Sequence, residues 1–180
     1  MTSNFTLRLA TAADVSTLEQ LIPASVRALQ AAYYSPEQME AALGPVFGVD
    51  AQLIEDGTYF VVEHADQIVG CGGWSRRRAV FGGDRHRATD DNTLDPARDP
   101  ARIRAFFVHP VWARRGIGKM ILSACESALI AAGFREAVMV ATLAGEPLYA
   151  AFGYTVIERY EVPLGEDLSL PVVRMGKSFG

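Results

Sequence analysis

Residues 108–119, Val-His-Pro-Val-Trp-Ala-Arg-Arg-Gly-Ile-Gly-Lys, bring together the groups that hold an anion. An extended run stops at His109-Pro110, a short turn carries Arg114, Arg115, Gly116 and Gly118, and a helical apolar period begins at Ile117. A helix start exposes unpaired backbone N–H groups and the positive end of the helix dipole. Gly116 and Gly118 remove side chains that would block close approach, and Arg114, Arg115 and Lys119 add charge at the rim. Such a cradle suits phosphates. On spacing alone, a plain structural turn fits equally well. The G-x-x-x-x-G-K-[ST] spacing is absent, and one G-x-G without a third glycine is not a dinucleotide fingerprint. Cys71 and Cys125 form no metal pattern and read as small buried hydrophobes.

The elements that must position this loop are legible as periods. Phe5–Leu9 alternates as a strand. Thr11 with Asp14 three residues later opens a helix with Val15, Leu18, Leu21 and Ile22 on its apolar face. Pro23 is expected to stop or kink it, with a second stretch from about Ala24 to Ala32. Ser35-Pro36-Glu37-Gln38 starts a short helix through Leu43. Thr58–Glu63 and Gln67–Trp74 form an antiparallel hairpin around His64-Ala65-Asp66. Arg102–Val108 is a strand feeding the loop. The helix from Ile117 carries Met120, Ile121, Ala124, Cys125, Ala128 and Leu129, with Gly133 as its stop. Ala137–Ala141 is a buried strand, Pro147–Phe152 a short helix, and Tyr154–Tyr160 and Leu168–Met175 are closing strands. The order predicts one mixed α/β domain over residues 1–180.

Residues 75–100 form a long insertion without a period. A loop of this length inside a compact domain usually carries function or moves. Its Arg76-Arg77-Arg78 start could meet an acidic substrate, and Asp84, Asp90 and Asp91 a cationic amine. The plainer reading, opposite charges pairing with each other in solvent, is favoured for most of these residues individually.

Composition bounds the function. The chain has 180 residues, 49% of them apolar and 21% charged, which excludes a disordered or collagen-like chain. One domain of this length buries roughly 70% of the surface its unfolded chain exposes. With 17 basic and 21 acidic residues the formal charge is −4, which argues against coating nucleic acid by charge. Only Lys119 and Lys177 are lysines, so the positive charge is almost all arginine, a planar phosphate-binding fork. No apolar run reaches the ~18–20 residues of a membrane span. The absence of a disulfide framework and of a leader predicts a cytoplasmic protein.

A strand, then V-H-P-x-W-A-R-R-G-I-G-K, then an amphipathic helix closely resembles the acetyl-CoA-binding segment of the GCN5-related N-acetyltransferase (GNAT) superfamily. The family's loop, Gln/Arg-x-x-Gly-x-Gly/Ala, falls on Ala113, Gly116 and Gly118, so its first polar residue is missing here. The resemblance covers the chain in element order and is most specific between about Ile103 and Tyr154. It implies a mixed, mostly antiparallel sheet of about six to seven strands flanked by helices, with a splayed parallel pair at the coenzyme site. It implies that the backbone of Phe107 and Val108 pairs with the pantetheine arm. His109 would be a contact, and the amides and side chains of Arg114, Arg115, Gly116, Ile117, Gly118 and Lys119 would hold the pyrophosphate.

Glu146-Pro147-Leu148-Tyr149-Ala150-Ala151-Phe152-Gly153-Tyr154 is similar to the family's late motif, which puts Tyr149 at the position of the acid for the departing thiolate. Read without the family, Tyr149 is a core aromatic with a wet tip. The family's Asn five residues earlier is Ala144 here. The strand before the loop carries Arg102 and Arg104 and no carboxylate, so the base stays open among Glu146, Glu63, Asp84 and His86, with His109 a weaker candidate. The implied function is an acetyl-CoA-dependent, metal-free N-acetyltransferase acting on a small-molecule amine in a ternary complex, with no nucleic-acid or membrane partner. The resemblance also admits a homodimer. Two alternatives are a non-catalytic acyl-CoA-binding module and an enzyme acetylating a protein or peptide amine.

Overall fold

The structure, a computed structural model, describes residues 4–79 and 92–180. Arg85, Arg87 and the candidates Asp84, His86, Asp90 and Asp91 lie outside the described residues.

The first strand, β1 (Thr6–Leu9), runs into a single 3-10 turn and then α1 (Val15–Leu29). Asp14 starts this helix as the sequence suggests, accepting the Thr11 amide at 2.7 Å. Pro23 does not end it. A proline removes the hydrogen bond to the carbonyl four residues back and crowds that carbonyl, here that of Glu19 on the exposed side, which can tilt toward solvent. The apolar face of Leu18, Leu21, Ile22 and Val26 continues past it and keeps the helix in one piece. The short α2 (Pro36–Ala42) opens with the reciprocal Ser35–Gln38 cap. A further short helix, α3 (Ala51–Glu55), was not legible as a period and is capped by Asp50, which accepts the Leu53 amide at 3.2 Å.

The hairpin of β2 (Tyr59–His64) and β3 (Gln67–Ser75) turns on Ala65 and Asp66, both at positive φ. That is the pattern of the tight turns whose twist matches paired strands. Next come β4 (Ala101–Val108), α4 (Ile117–Ala131), β5 (Glu136–Thr142), α5 (Glu146–Ala151), β6 (Thr155–Pro163) and β7 (Ser169–Ser178). Among the described residues these make one seven-stranded sheet in the order β1-β2-β3-β4-β5-β7-β6, antiparallel except for β4 and β5. The expected sheet with one parallel pair is therefore present. Among the described residues, no helix is long and apolar enough to cross a membrane.

Each face of the sheet is covered. Leu18, Ile22, Val26, Phe47 and Leu53 build one core with Val61, Cys71, Phe107 and Val172. Ile121, Leu122, Cys125 and Leu129 of α4 build the other with Val69, Ile103, Met139, Val173 and Met175. The helix α4 lies directly on glycines: a Cβ on Gly70 would meet Ile117 Cγ2 at 2.5 Å, and one on Gly72 would meet Ile121 Cγ2 at 2.8 Å. The run Gly70-Cys71-Gly72-Gly73 is thus a seat that fixes where the N-terminus of α4 points.

Parts of the 75–100 insertion are held down. Arg77 pairs with Asp56 of the body at 2.7 Å, Leu94 is buried, and Arg98 sits 3.8 Å from Asp95. Among the described residues, the shorter of these two pairs reaches out of the insertion and the longer stays within it.

Two arginines lock the helices to the sheet. Arg8 bridges Asp14 (2.8 Å) and Glu63 (2.7 Å), joining β1, the start of α1 and β2. Deep inside, Arg104 Nε lies 2.8 Å from Asp50 Oδ2, with side-chain exposures of 3% and 1%. This is a charge contact out of line for a hydrogen bond, and Arg104 Nη1 also donates to the Ala79 carbonyl at 2.6 Å. Removing one member of a buried pair strands the other charge. Asp50→Ala should cost about 3–5 kcal/mol in chemical denaturation. The hydrogen bond from Arg8 holds the Asp14 carboxyl down from 3.8 to about 2. Its contribution is present above the unfolded pKa and is lost as the pH falls through the folded one. With the arginine partly in solvent, roughly 1–2 kcal/mol should disappear between pH 5 and pH 2, and Asp14→Asn should flatten that arm of the stability–pH curve.

Candidate active site

The site begins where β4 and β5 part. Their register holds for three pairs, Ala101–Ala137, Arg102–Val138 and Ile103–Met139, and then stops. An extra residue in β4 causes this. Between Cys71–Phe107 and Gly73–Arg104, β3 advances by two residues while β4 advances by three. Ala105 takes up the excess at φ +62. The bulge bends β4 away and re-aims its side chains. Arg104 and Ala105 both turn toward α3 and the first core, and Phe106 then turns to the opposite face. Tyr59, fully buried, donates its hydroxyl to the Ala105 carbonyl at 3.0 Å and pins the distortion.

The parted strands bound a slot lined by Ile103–Phe107 and Met139–Thr142, with Gln30, Val46, Phe47 and Val172 from one face and Tyr149 from the other. Its far wall is tied down by Tyr34, whose hydroxyl donates to the Pro171 carbonyl (2.7 Å) and accepts the Leu143 amide (3.0 Å).

Main-chain groups at the end of β4 are arranged as the alternation of an antiparallel ladder dictates. The His109 amide donates to the Val69 carbonyl at 2.8 Å, so the amide of Phe107 also turns toward β3. The residues facing outward are Phe106 and Val108. The Val108 amide meets Ser25 Oγ of α1 at 3.2 Å, a contact the sequence did not reveal. Of the two residues expected to offer backbone groups to a ligand, Val108 presents its amide there and Phe107 does not.

Past β4, His109 Nδ1 accepts the Val111 amide at 3.3 Å and caps a single 3-10 turn, Pro110–Trp112. Trp112 anchors this turn: its ring lies 4.4 Å from the His64 ring and 5.9 Å from that of Phe5, and the Arg115 guanidinium stacks over it at 4.7 Å. Arg114 (φ +61) and Gly116 (φ +87) then curl the chain into the N-terminus of α4. The first helical bond is from the Met120 amide to the Gly116 carbonyl. Among the described residues, the amides of 114–119 have no partner. Six consecutive donors around left-handed residues make an anion nest at the positive end of a helix. Arg114, Arg115 and Lys119 are exposed around it, and Ile117 is buried against the Gly70 seat. A Cβ at Gly116 would meet open space, whereas one at Gly118 would meet Leu148 Cδ2 at 2.9 Å. Gly118 therefore lets α5, the helix that carries Tyr149, close on the first turn of α4.

The ring of Tyr149 packs edge-on against Phe106 and Tyr154, at 6.0 and 6.2 Å between centroids. It is 8% exposed, and its hydroxyl has no hydrogen bond among the described residues. Burial pushes its pKa well above the ordinary phenol range, with Cys125 adding to the rise. Of the carboxylates considered as bases, Glu146 pairs with Arg159 (2.5 Å) and Glu63 with Arg8, and neither lines the slot.

Comparison with known proteins gives one answer. The family described as "Acetyltransferase (GNAT) domain" matches residues 55–156. No curated protein matches the sequence. Among solved structures, a GCN5-related N-acetyltransferase from Rhodopseudomonas palustris superposes with a TM-score of 0.73 at 22% identity, covering 98% of this chain and 97% of that one. An N-acetyltransferase from Thermoplasma acidophilum in complex with coenzyme A gives 0.66 at 14% identity, covering 98% and 99%. A Salmonella typhimurium acetyltransferase with its cofactor acetyl-CoA gives 0.62 at 16% identity, covering 98% and 94%.

The burial of Tyr149 predicts a titration. In protein labelled with carbon-13 tyrosine, the ring signal that disappears in Tyr149→Phe should stay at its protonated position up to pH 10. A midpoint at or below the ordinary phenol value would contradict the buried environment.

Proposed function

The chain belongs to the acetyltransferase (GNAT) family, and from that premise we propose that it carries an acetyl group from acetyl-CoA to the primary amine of a small molecule, by direct attack in a ternary complex. The observation that carries the proposal is the nest of unpaired amides at 114–119 at the start of α4, the helix that α5 packs against, together with a slot lined by Tyr149 of α5. The residues present fit the coenzyme. The nest and the exposed Arg114, Arg115 and Lys119 suit a pyrophosphate. The outward groups of Phe106 and Val108, left without a neighbouring strand where β5 departs, suit an arm that carries its own amides. Ser25 would give up the Val108 amide to that arm.

Acetyl-CoA, when bound, supplies a thioester whose carbonyl carbon takes the amine and whose thiolate leaves. The N–C bond forms, the C–S bond breaks, and the amine's proton goes to solvent. Tyr149 holds a proton at its hydroxyl throughout the physiological range and delivers it toward sulfur. The raised pKa does not disable this role, because burial lifts thiols as well. The thiol of Cys71, buried in the same sheet, is pushed up to about 12. A phenol and a thiolate sharing a dry slot thus stay closer in basicity than Tyr149 would be to a thiolate in water. Among the described residues lining the slot there is no carboxylate and no imidazole. In this reading the amine enters already neutral.

Thiol release from acetyl-CoA over a panel of small amines tests this. We expect turnover whose kcat/KM rises with pH along each amine's own titration. Tyr149→Phe should lower kcat by about a hundredfold or more and leave acetyl-CoA affinity within about threefold. Coenzyme binding without turnover for any amine would mark a non-catalytic acyl-CoA module, and turnover confined to peptide amines would mark a protein acetyltransferase.

A further inference from the structure

We infer that Gln30 receives the acceptor: its side-chain amide oxygen takes a hydrogen bond from the attacking N–H, on the face of the sheet opposite Tyr149. This rests on the acetyltransferase reading and deepens it. Gln30 is the residue that closes α1, and its backbone is fully employed. Its amide donates to the Val26 carbonyl at 3.1 Å, and its carbonyl accepts from Tyr33 and Tyr34, each at 3.0 Å. The side chain has no part in that cap. It is 93% buried, lines the slot, and its Oε1 has no partner among the described residues. A buried acceptor without a donor is destabilising, and a bound donor removes that penalty.

The two ends of the slot belong to different cores. Gln30 comes with α1 on one face, and Tyr149 with α5 on the other. A group donating to Gln30 therefore sits across the gap between β4 and β5 from the phenol, which is where a nucleophile belongs when the leaving sulfur is at Tyr149. The neighbours of Gln30 describe the rest of the acceptor. Val46, Phe47 and Val172 are apolar, and the charge of Arg104 is already met by Asp50 and the Ala79 carbonyl. The class that fits is a primary amine on an uncharged aliphatic or aromatic arm. A neutral amine keeps two N–H bonds: one goes to Gln30, which aims the lone pair, and the other is the proton lost to solvent when the N–C bond forms.

The test uses phenylalkyl and alkyl amines of graded length, with the alcohols of the same skeletons as controls. Gln30→Leu and Gln30→Glu are compared with the unsubstituted chain by steady-state kinetics, by calorimetry with acetyl-CoA, and by thermal unfolding. Gln30→Leu should raise the amine KM, or lower kcat/KM, about tenfold, with acetyl-CoA affinity within about twofold. Gln30→Glu, which restores an oxygen and adds a base, should keep the amine KM near that of the unsubstituted chain. It should also move the pH profile of kcat/KM to lower pH, and this variant decides the matter if the leucine variant does not fold. Unchanged amine kinetics in Gln30→Leu, an unmoved pH profile in Gln30→Glu, a loss of acetyl-CoA affinity in step with activity, or alcohols used as well as amines would each overturn the assignment while leaving the transferase in place. If the unsubstituted chain fails to bind acetyl-CoA or to acetylate any amine, the functional reading falls, and the role of Gln30 with it.

Discussion

A single surplus residue in β4 opens this protein. Ala105 sits at φ +62, a conformation that costs an alanine roughly 1 kcal/mol, and Tyr59 holds it there through a hydrogen bond to its carbonyl. The strain is local, but its geometric effect spreads. Without the extra residue β4 would follow β5 to its end, and the sheet would be closed where the slot now runs. The buried Arg104–Asp50 contact is next to the bulge and fastens the strand to the start of α3 on the same face. Phe106, turned to the other face, meets the ring of Tyr149. The opening and the two walls of the slot are consequences of one register change.

The anion nest depends on the opening only indirectly. Its shape comes from the seating of α4 on Gly70 and Gly72 and from the aromatic anchor at Trp112. The first fixes the direction of the helix dipole, and the second holds the chain that precedes it. Gly118 then lets Leu148 approach, so that the short helix bearing Tyr149 packs against the same helix whose N-terminus forms the nest. The nest of amides and the phenol are thereby coupled through packing.

Much of this could be read from the sequence, and what could not has definable causes. The β2–β3 hairpin, the capped starts of α1 and α2, the amphipathic α4 and the glycine loop are set by local periods and local caps, which leave marks within a few residues. The misread elements are those where tertiary contacts override a local rule. Pro23 looks like a stop, yet it sits in a helix whose apolar face packs on both sides of it. The five residues of α3 are too few for a period. The bulge at Ala105 has no residue-type signature, because alanine is not a residue that favours positive φ. Gln30 and Ser25 became visible only when α1 was laid across β4. Trp112 did carry a signal, being a large aromatic in a polar turn. The density of glycine in Gly70–Gly73 is a mark, unread at the level of sequence, of a strand that something approaches closely.

The bulge also bears on how the sequence can drift. A strand reads its two faces by counting, and Arg104 and Ala105 share one face, so a deletion at Ala105 would leave Phe106 to Val108 on their present faces and remove only the bend. An insertion or deletion elsewhere in β4 would exchange inside for outside along the residues beyond it. Descendants of this chain are therefore free to exchange side chains along the strand far more readily than they can gain or lose a residue in it. Change in length is left to segments outside the ladder, such as the one between Ser75 and Ala101.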